Sequence, residues 1–226
     1  MFSFGQQNED NASGSVFSLT TRWTGLPVYR KEGRHLLHFG ASFSTRNPFG
    51  NETRYRSRPE ARSADFLTDT GEMQASGIKL FGLEFAMVQG PMWAQAEYIR
   101  SNVDAQLLGD PTFMGSYGQV GFFLTGESRP YRRNSGVFGR VQPERNWHKG
   151  NPFKKQNGGV WEVVGRISRV DLEDELIDGG ILTDVSAALN WYPNSATRVQ
   201  VNYIYASPKN EGAANIIVLR VGYSPW

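Results

Sequence analysis

Apolar side chains recur at every second position through this chain: Phe81, Leu83, Phe85 and Met87; Val185, Ala187, Leu189 and Trp191; Val199, Val201, Tyr203 and Tyr205; Ile217, Leu219, Val221 and Tyr223. Between them stand Glu84, Asp184, Ser186, Asn190, Arg198, Gln200, Asn202, Arg220 and Gly222. Successive residues of an extended chain point to opposite sides, so each stretch reads as a β-strand with one apolar and one polar face. Soluble sandwiches alternate in the same way. The distinction lies in what each face holds. Here the polar face is charged and glycine-bearing, and the apolar face carries aromatics near the strand ends.

Nine stretches of this kind lie near 15–24, 34–45, 77–89, 91–102, 113–125, 159–171, 181–192, 197–206 and 214–223, each followed by turn chemistry. Their apolar stripes continue through Phe17, Leu19, Thr21 and Trp23, Leu37, Phe39, Ala41 and Phe43, Ala94, Ala96 and Tyr98, Val120, Phe122 and Leu124, and Trp161, Val163, Gly165 and Ile167. None of these positions is charged; a charge at the centre of a bilayer costs about 2–4 kcal/mol on a barrel's outer face. The opposite stripes hold Arg22, His38, Glu84, Gln95, Glu97, Gln119, Glu162 and Arg166, where a packed soluble core would not place ionised groups. That is the alternation of a transmembrane β-barrel. Trp93, Ile99, Phe123, Val164, Ile204 and Val218 break it by falling on the polar face.

No stretch approaches the length of consecutive apolar residues that a transmembrane helix needs. The mean hydropathy of −0.47 also argues against helical spans, and it is neutral about strands that are only half apolar. Gln89-Gly90-Pro91 and Pro193-Asn194-Ser195 read as tight turns and 46–76 as a long loop, the asymmetry of barrels with short periplasmic turns and long external loops. The 126–158 connection departs from it: counting back from the C-terminus places this long segment on the periplasmic side.

Charge is concentrated in those two long connections. Residues 46–65 hold five arginines against three acids, and residues 126–158 hold eight basic residues against two acids. Subtracting these +2 and +6 from the chain's formal +2 leaves −6 for everything else. Arginine outnumbers lysine 18 to 6, and its planar fork suits phosphate and carboxylate better than a point charge does. Cysteine is absent, which removes disulfides and thiolate catalysis. His35, His38 and His148 are scattered, and His35 and His38 lie on opposite strand faces, so no metal pair is expected. No Gly-rich phosphate loop is present. Neither a catalytic site nor a cofactor is expected, and nucleic-acid binding finds no support on the strands.

Three blocks together resemble the phosphate-selective porin family (porins O and P). They are Tyr55-Arg56-Ser57-Arg58-Pro59-Glu60-Ala61-Arg62 with Arg54 before it; Leu124-Thr125-Gly126-Glu127-Ser128-Arg129-Pro130-Tyr131 with Ser135 to Val141; and Gly159-Val160-Trp161-Glu162 leading to Asp171-Leu172, Leu189 to Asn194 and Asn202-Tyr203. The last strand ends near Tyr223 and the chain at Trp226, similar to the aromatic C-terminal signature of bacterial outer-membrane proteins. The resemblance implies a sixteen-stranded, homotrimeric barrel in the outer membrane of a Gram-negative bacterium, in contact with its lipids and passing phosphate, polyphosphate or other small anions. Nine strands are an odd count, while single-chain bacterial barrels are even-stranded. Met1-Phe2-Ser3-Phe4-Gly5 lacks the features of a secretory signal and reads as the end of a preceding strand. The expectation is therefore a single barrel domain over 1–226 that is the C-terminal portion of a porin, with N-terminal strands and signal peptide outside it. A non-transporting outer-membrane barrel, an adhesin or hydrolase, is the alternative.

The family lines its pore with an arginine ladder, and the spacing of Arg54, Arg56, Arg58 and Arg62 matches its motif. In an extended segment the first three project the same way, about 6–7 Å apart. An anion could pass from fork to fork without being held too tightly at any one. The competing reading is a solvated basic loop whose arginines pair with Glu52, Glu60 and Asp65. The family's second device, a lysine cluster at the periplasmic side, falls on Lys149, Lys154 and Lys155.

Overall fold

The structure, a computed structural model, describes residues 17–147, 150–151, 153–154, 158–209 and 212–224. The expected strand end at Met1–Gly5 lies outside them. Nine long strands form one antiparallel sheet in chain order. They are β1 (Ser18–Arg30), β2 (His35–Arg46), β3 (Gly77–Gln89), β4 (Met92–Asp104), β5 (Thr112–Phe123), β6 (Val160–Asp174), β7 (Ile177–Tyr192), β8 (Thr197–Pro208) and β9 (Ala214–Tyr223). The sheet is open, with β1 and β9 at its edges.

Alternation sets the strands and the registers keep the stripes together. Phe39 lies opposite Phe85 and Phe43 opposite Phe81, with ring centroids 5.5 and 5.0 Å apart. Trp161 pairs with Trp191 and stacks on it at 5.6 Å, and the exposed Phe153 stacks on Trp161 at 4.4 Å. The stripe named from the sequence is the exposed face: Leu83, Val120, Ile167 and Leu219 are 59, 59, 56 and 69 % exposed. Apolar side chains so exposed, on one face of every long strand, have hydrocarbon as their natural solvent.

β1 runs to Arg30, six residues past its expected end. Gly25-Leu26-Pro27 has turn chemistry, but here it is a bulge: pairing jumps from Gly25↔Phe39 to Val28↔Leu37. Pro27 has no N–H to give, which an edge strand tolerates at a bulge.

The two long connections leave opposite ends of the sheet and fold back over its polar face, burying two of the apolar residues that broke the pattern, Trp93 and Phe123. At the end where β2 leaves for β3, Tyr55, Met73 and Ala75 of the 47–76 connection pack with Ile78, Val103, Phe113 and Leu172. At the other end, where β9 finishes, Val141 of the 124–159 connection packs with Leu36, Trp93, Phe123, Val160 and Tyr192, and Tyr131 and Phe138 close over them. Trp93 and Phe123 are 3 and 0 % exposed. Gly121, directly opposite Trp93, makes this possible: a Cβ there would sit 2.3 Å from the indole.

Candidate anion-binding site

In the 47–76 connection Thr53, Tyr55, Pro59 and Ala61 are buried, Arg54, Arg56 and Arg58 are half-buried, and Arg62 is exposed. The buried residues Thr53, Tyr55, Pro59 and Ala61 pack against the wall. Tyr55 stacks near Phe113 at 5.1 Å, and its hydroxyl lies 2.9 Å from Ser101 Oγ. Burial raises the Tyr55 phenol above its ordinary pKa. The arginines lie on the other side, where a return segment pairs Arg56 with Asp69 and Ser57 with Thr68.

That return segment treats the arginines differently. Arg54 Nε donates to Asp69 Oδ1 at 2.7 Å and Arg54 Nη2 to Asp69 Oδ2, a fork-to-fork pair. The pair holds the Asp69 carboxyl below its usual range and raises Arg54. Arg56 and Arg58 instead lie over the Phe66 ring, at 4.3 and 4.0 Å from its centroid. Stacking uses the face of a guanidinium and leaves its in-plane N–H groups to donate. One of them, Arg58 Nη1, reaches the Arg62 carbonyl at 2.7 Å.

Glu60 fixes the far side of the connection to β6 and β7. Its carboxylate accepts from Arg166 Nε, from Ser168 Oγ at 2.8 Å and from Ser186 Oγ at 2.7 Å, while its backbone N–H donates to Asp184 at 3.1 Å. The arginine segment is thereby pinned across the polar face, from β2–β3 to β6–β7.

The 124–159 connection is pinned at the opposite end of the sheet. Glu162 is fully buried and accepts from Trp93 Nε1, Asn190 Nδ2 and Tyr192 Oη at 2.8 Å and from Arg129 Nη1 at 3.1 Å. Arg22, held by Glu84 at 2.5–2.7 Å, donates onward to the carbonyls of Ser135 and Gly136 at 2.9 and 3.0 Å. Tyr131 Oη meets His38 Nδ1 at 2.7 Å. Lys154 is exposed in this connection, remote from the Arg54–Arg62 segment; Lys149 and Lys155 lie outside the described residues. Among the described residues no group of three or more His, Cys, Asp or Glu could hold a metal ion.

Sequence reasoning placed Arg54, Arg56 and Arg58 on one side of an extended segment; in the structure Arg54 pairs with Asp69, while Arg56 and Arg58 lie over Phe66. It named Glu52, Glu60 and Asp65 as their competitors, whereas Arg54 pairs with Asp69, Glu60 pairs with Arg166, and Glu52 accepts from Gln74. It also missed Glu162 as an anchor. The available signal was the pair Trp93 and Phe123 beside that carboxylate on a face otherwise polar.

A strand wall with an apolar outer face and arginine-bearing connections folded across its polar face is the wall of a porin-type barrel. The family model described as phosphate-selective porin O and P matches residues 1–223, and the chain belongs to that family. It is 27 % identical over 228 residues to Porin O of Pseudomonas aeruginosa, covering 88 % of this chain and 49 % of that one. It is 33 % identical over 184 residues to an uncharacterized protein of Caulobacter vibrioides, covering 79 % of this chain and 36 % of the other. The chain thus spans half or less of the length of the curated relatives it matches.

Proposed function

We propose that this chain is part of an outer-membrane porin of a Gram-negative bacterium that passes phosphate or polyphosphate by passive diffusion. The observation that carries the reading is the set of arginines on one side of the extended 54–58 segment, over the polar face, with Phe66 beneath Arg56 and Arg58. Forks spaced about 6–7 Å apart along such a segment can exchange an anion stepwise. Arg62 continues the ladder, and Lys149, Lys154 and Lys155 draw anions at the periplasmic end. Residues 1–226 form one portion of a single barrel domain, whose other strands pair the free edges of β1 and β9. The complete porin is a homotrimer, as the family resemblance implies.

The test is phosphate block of chloride current through the complete porin in planar bilayers. Losing one charge-assisted hydrogen bond, roughly 1.5–3 kcal/mol, raises the half-blocking phosphate concentration at least about tenfold. Arg58→Ala is expected to produce that rise. Cation preference in the unaltered porin, or a half-blocking concentration unmoved by Arg58→Ala, would sink the reading.

A further inference from the structure

At the end of the sheet opposite the ladder, the turn between β7 and β8, the last residues of β9 and the 139–141 segment enclose a cavity of about 300 Å³. Arg140, Arg198 and Arg220 line it, and among the described residues no carboxylate does. Arg198 and Arg220 reach it from the polar face of β8 and β9, since Arg198 lies opposite Gly222 and Gln200 opposite Arg220. They are diagonal neighbours on that face, close enough for long side chains to converge on one ligand. Arg140 enters from the connection above, anchored by Nη2 to the Ser224 carbonyl at 2.6 Å.

Two features separate this cluster from a solvated charge run. The first is orientation: Arg198 Nη2 donates to Gln200 Oε1, Gln200 Nε2 to Asn190 Oδ1 at 2.6 Å, and Asn190 Nδ2 to the buried Glu162 at 2.8 Å. The relay holds Arg198 in place through neutral amides, so its charge is not cancelled. The second is selective pairing. Glu162 pairs with Arg129, which also lines the cavity, while none of Arg140, Arg198 and Arg220 has an ion-pair partner among the described residues. Three uncompensated guanidinium groups around a small cavity are a receptor for a multiply charged oxyanion.

We infer that Arg140, Arg198 and Arg220 form a second oxyanion site, for phosphate or a short polyphosphate, at the end of the wall where β9 finishes. The site is separate from the Arg54–Arg62 segment, and Lys154 does not line it. As an exit station it rests on the porin reading; as a binding site it does not. Two measurements keep these apart. Binding of inorganic phosphate to the purified porin, followed by broadening of its 31P resonance, needs no conduction. Arg198→Gln and Arg220→Gln are each expected to weaken binding at this site roughly tenfold, the loss of one charge-assisted hydrogen bond. Arg220→Lys, at an exposed position, keeps most of the affinity. In planar bilayers the same two variants raise the half-blocking concentration when phosphate is added on the β9 side, and Arg58→Ala does so on the other side. Unchanged 31P broadening in both Gln variants overturns the site whether or not the barrel conducts. So does an equal rise in blocking concentration from both sides, which would mark a diffuse field and no receptor.

Discussion

Arg54 and Arg58 stand four residues apart on one extended segment, yet they present their guanidinium groups differently. Arg54 gives Nε and Nη2 to Asp69, and Arg58 lies over the Phe66 ring. A carboxylate in the fork competes directly with a passing anion, whereas an aromatic ring beneath it does not. Asp69→Asn removes the competitor's charge, so phosphate block of the chloride current is expected to set in at a severalfold lower concentration. An unchanged or higher half-blocking concentration would show that the carboxylate only holds the segment in shape. The pH dependence follows from the depressed Asp69 carboxyl. A group whose folded pKa is lowered contributes stability that is complete above its unfolded value, about 3.9, and is lost as pH falls through the lower folded value. The pair therefore persists unchanged through neutral and mildly acidic solution. Arg54 is released only below about pH 3.9, and block in the Asp69→Asn variant should lack that acid-side change.

Among the elements, the nine strands were legible in the sequence because each obeys one period over many residues, and a one-residue slip would turn every apolar side chain to the wrong face. What the alternation did not give were the partners made inside and beneath the long connections. Asp69 is fifteen residues from Arg54 and reaches it only because the return segment pairs Arg56 with Asp69. The inward course of the 124–159 connection was likewise hidden, although the polar-face Trp93 and Phe123 were traces of something covering them. Its anchor is testable. Glu162→Gln keeps the size of the side chain but strips the counter-ion from Arg129, and its amide nitrogen, a donor only, leaves the two donors that faced the replaced oxygen without an acceptor. Breaking a buried pair costs about 3–5 kcal/mol. Arg129 retains some exposure, so a loss near about 3 kcal/mol is expected from urea unfolding in lipid vesicles. On the proposed porin reading, open-channel current noise should rise with it, because the loosened connection lies over the polar face. A variant as stable and as quiet as the parent would deny the connection this anchor.

For the whole molecule, the open sheet leaves rows of backbone N–H and C=O groups on β1 and β9, which hydrocarbon does not tolerate, so further strands or a second copy must pair them in lipid. Charge is also organised at this scale. On the wall, Arg22 is matched by Glu84 and Arg166 by Glu60, and Glu162 takes Arg129, whereas Arg198 and Arg220 have no such partner among the described residues; the two long connections carry the chain's net positive charge. On the proposed porin reading, anion selectivity would have a long-range part, the field of the connections, and a contact part, the hydrogen bonds of individual forks. Salt separates them, because the screening length falls from about 10 Å at 0.1 M to about 3 Å at 1 M. The chloride-to-potassium permeability ratio is therefore expected to fall severalfold towards one over that range, as the field no longer spans the lumen. Contact recognition is screened less, so phosphate should still block at high salt and Arg58→Ala should still weaken that block. A permeability ratio constant from low to high salt would place selectivity in close coordination alone, leaving the basic connections no electrostatic role beyond their contacts.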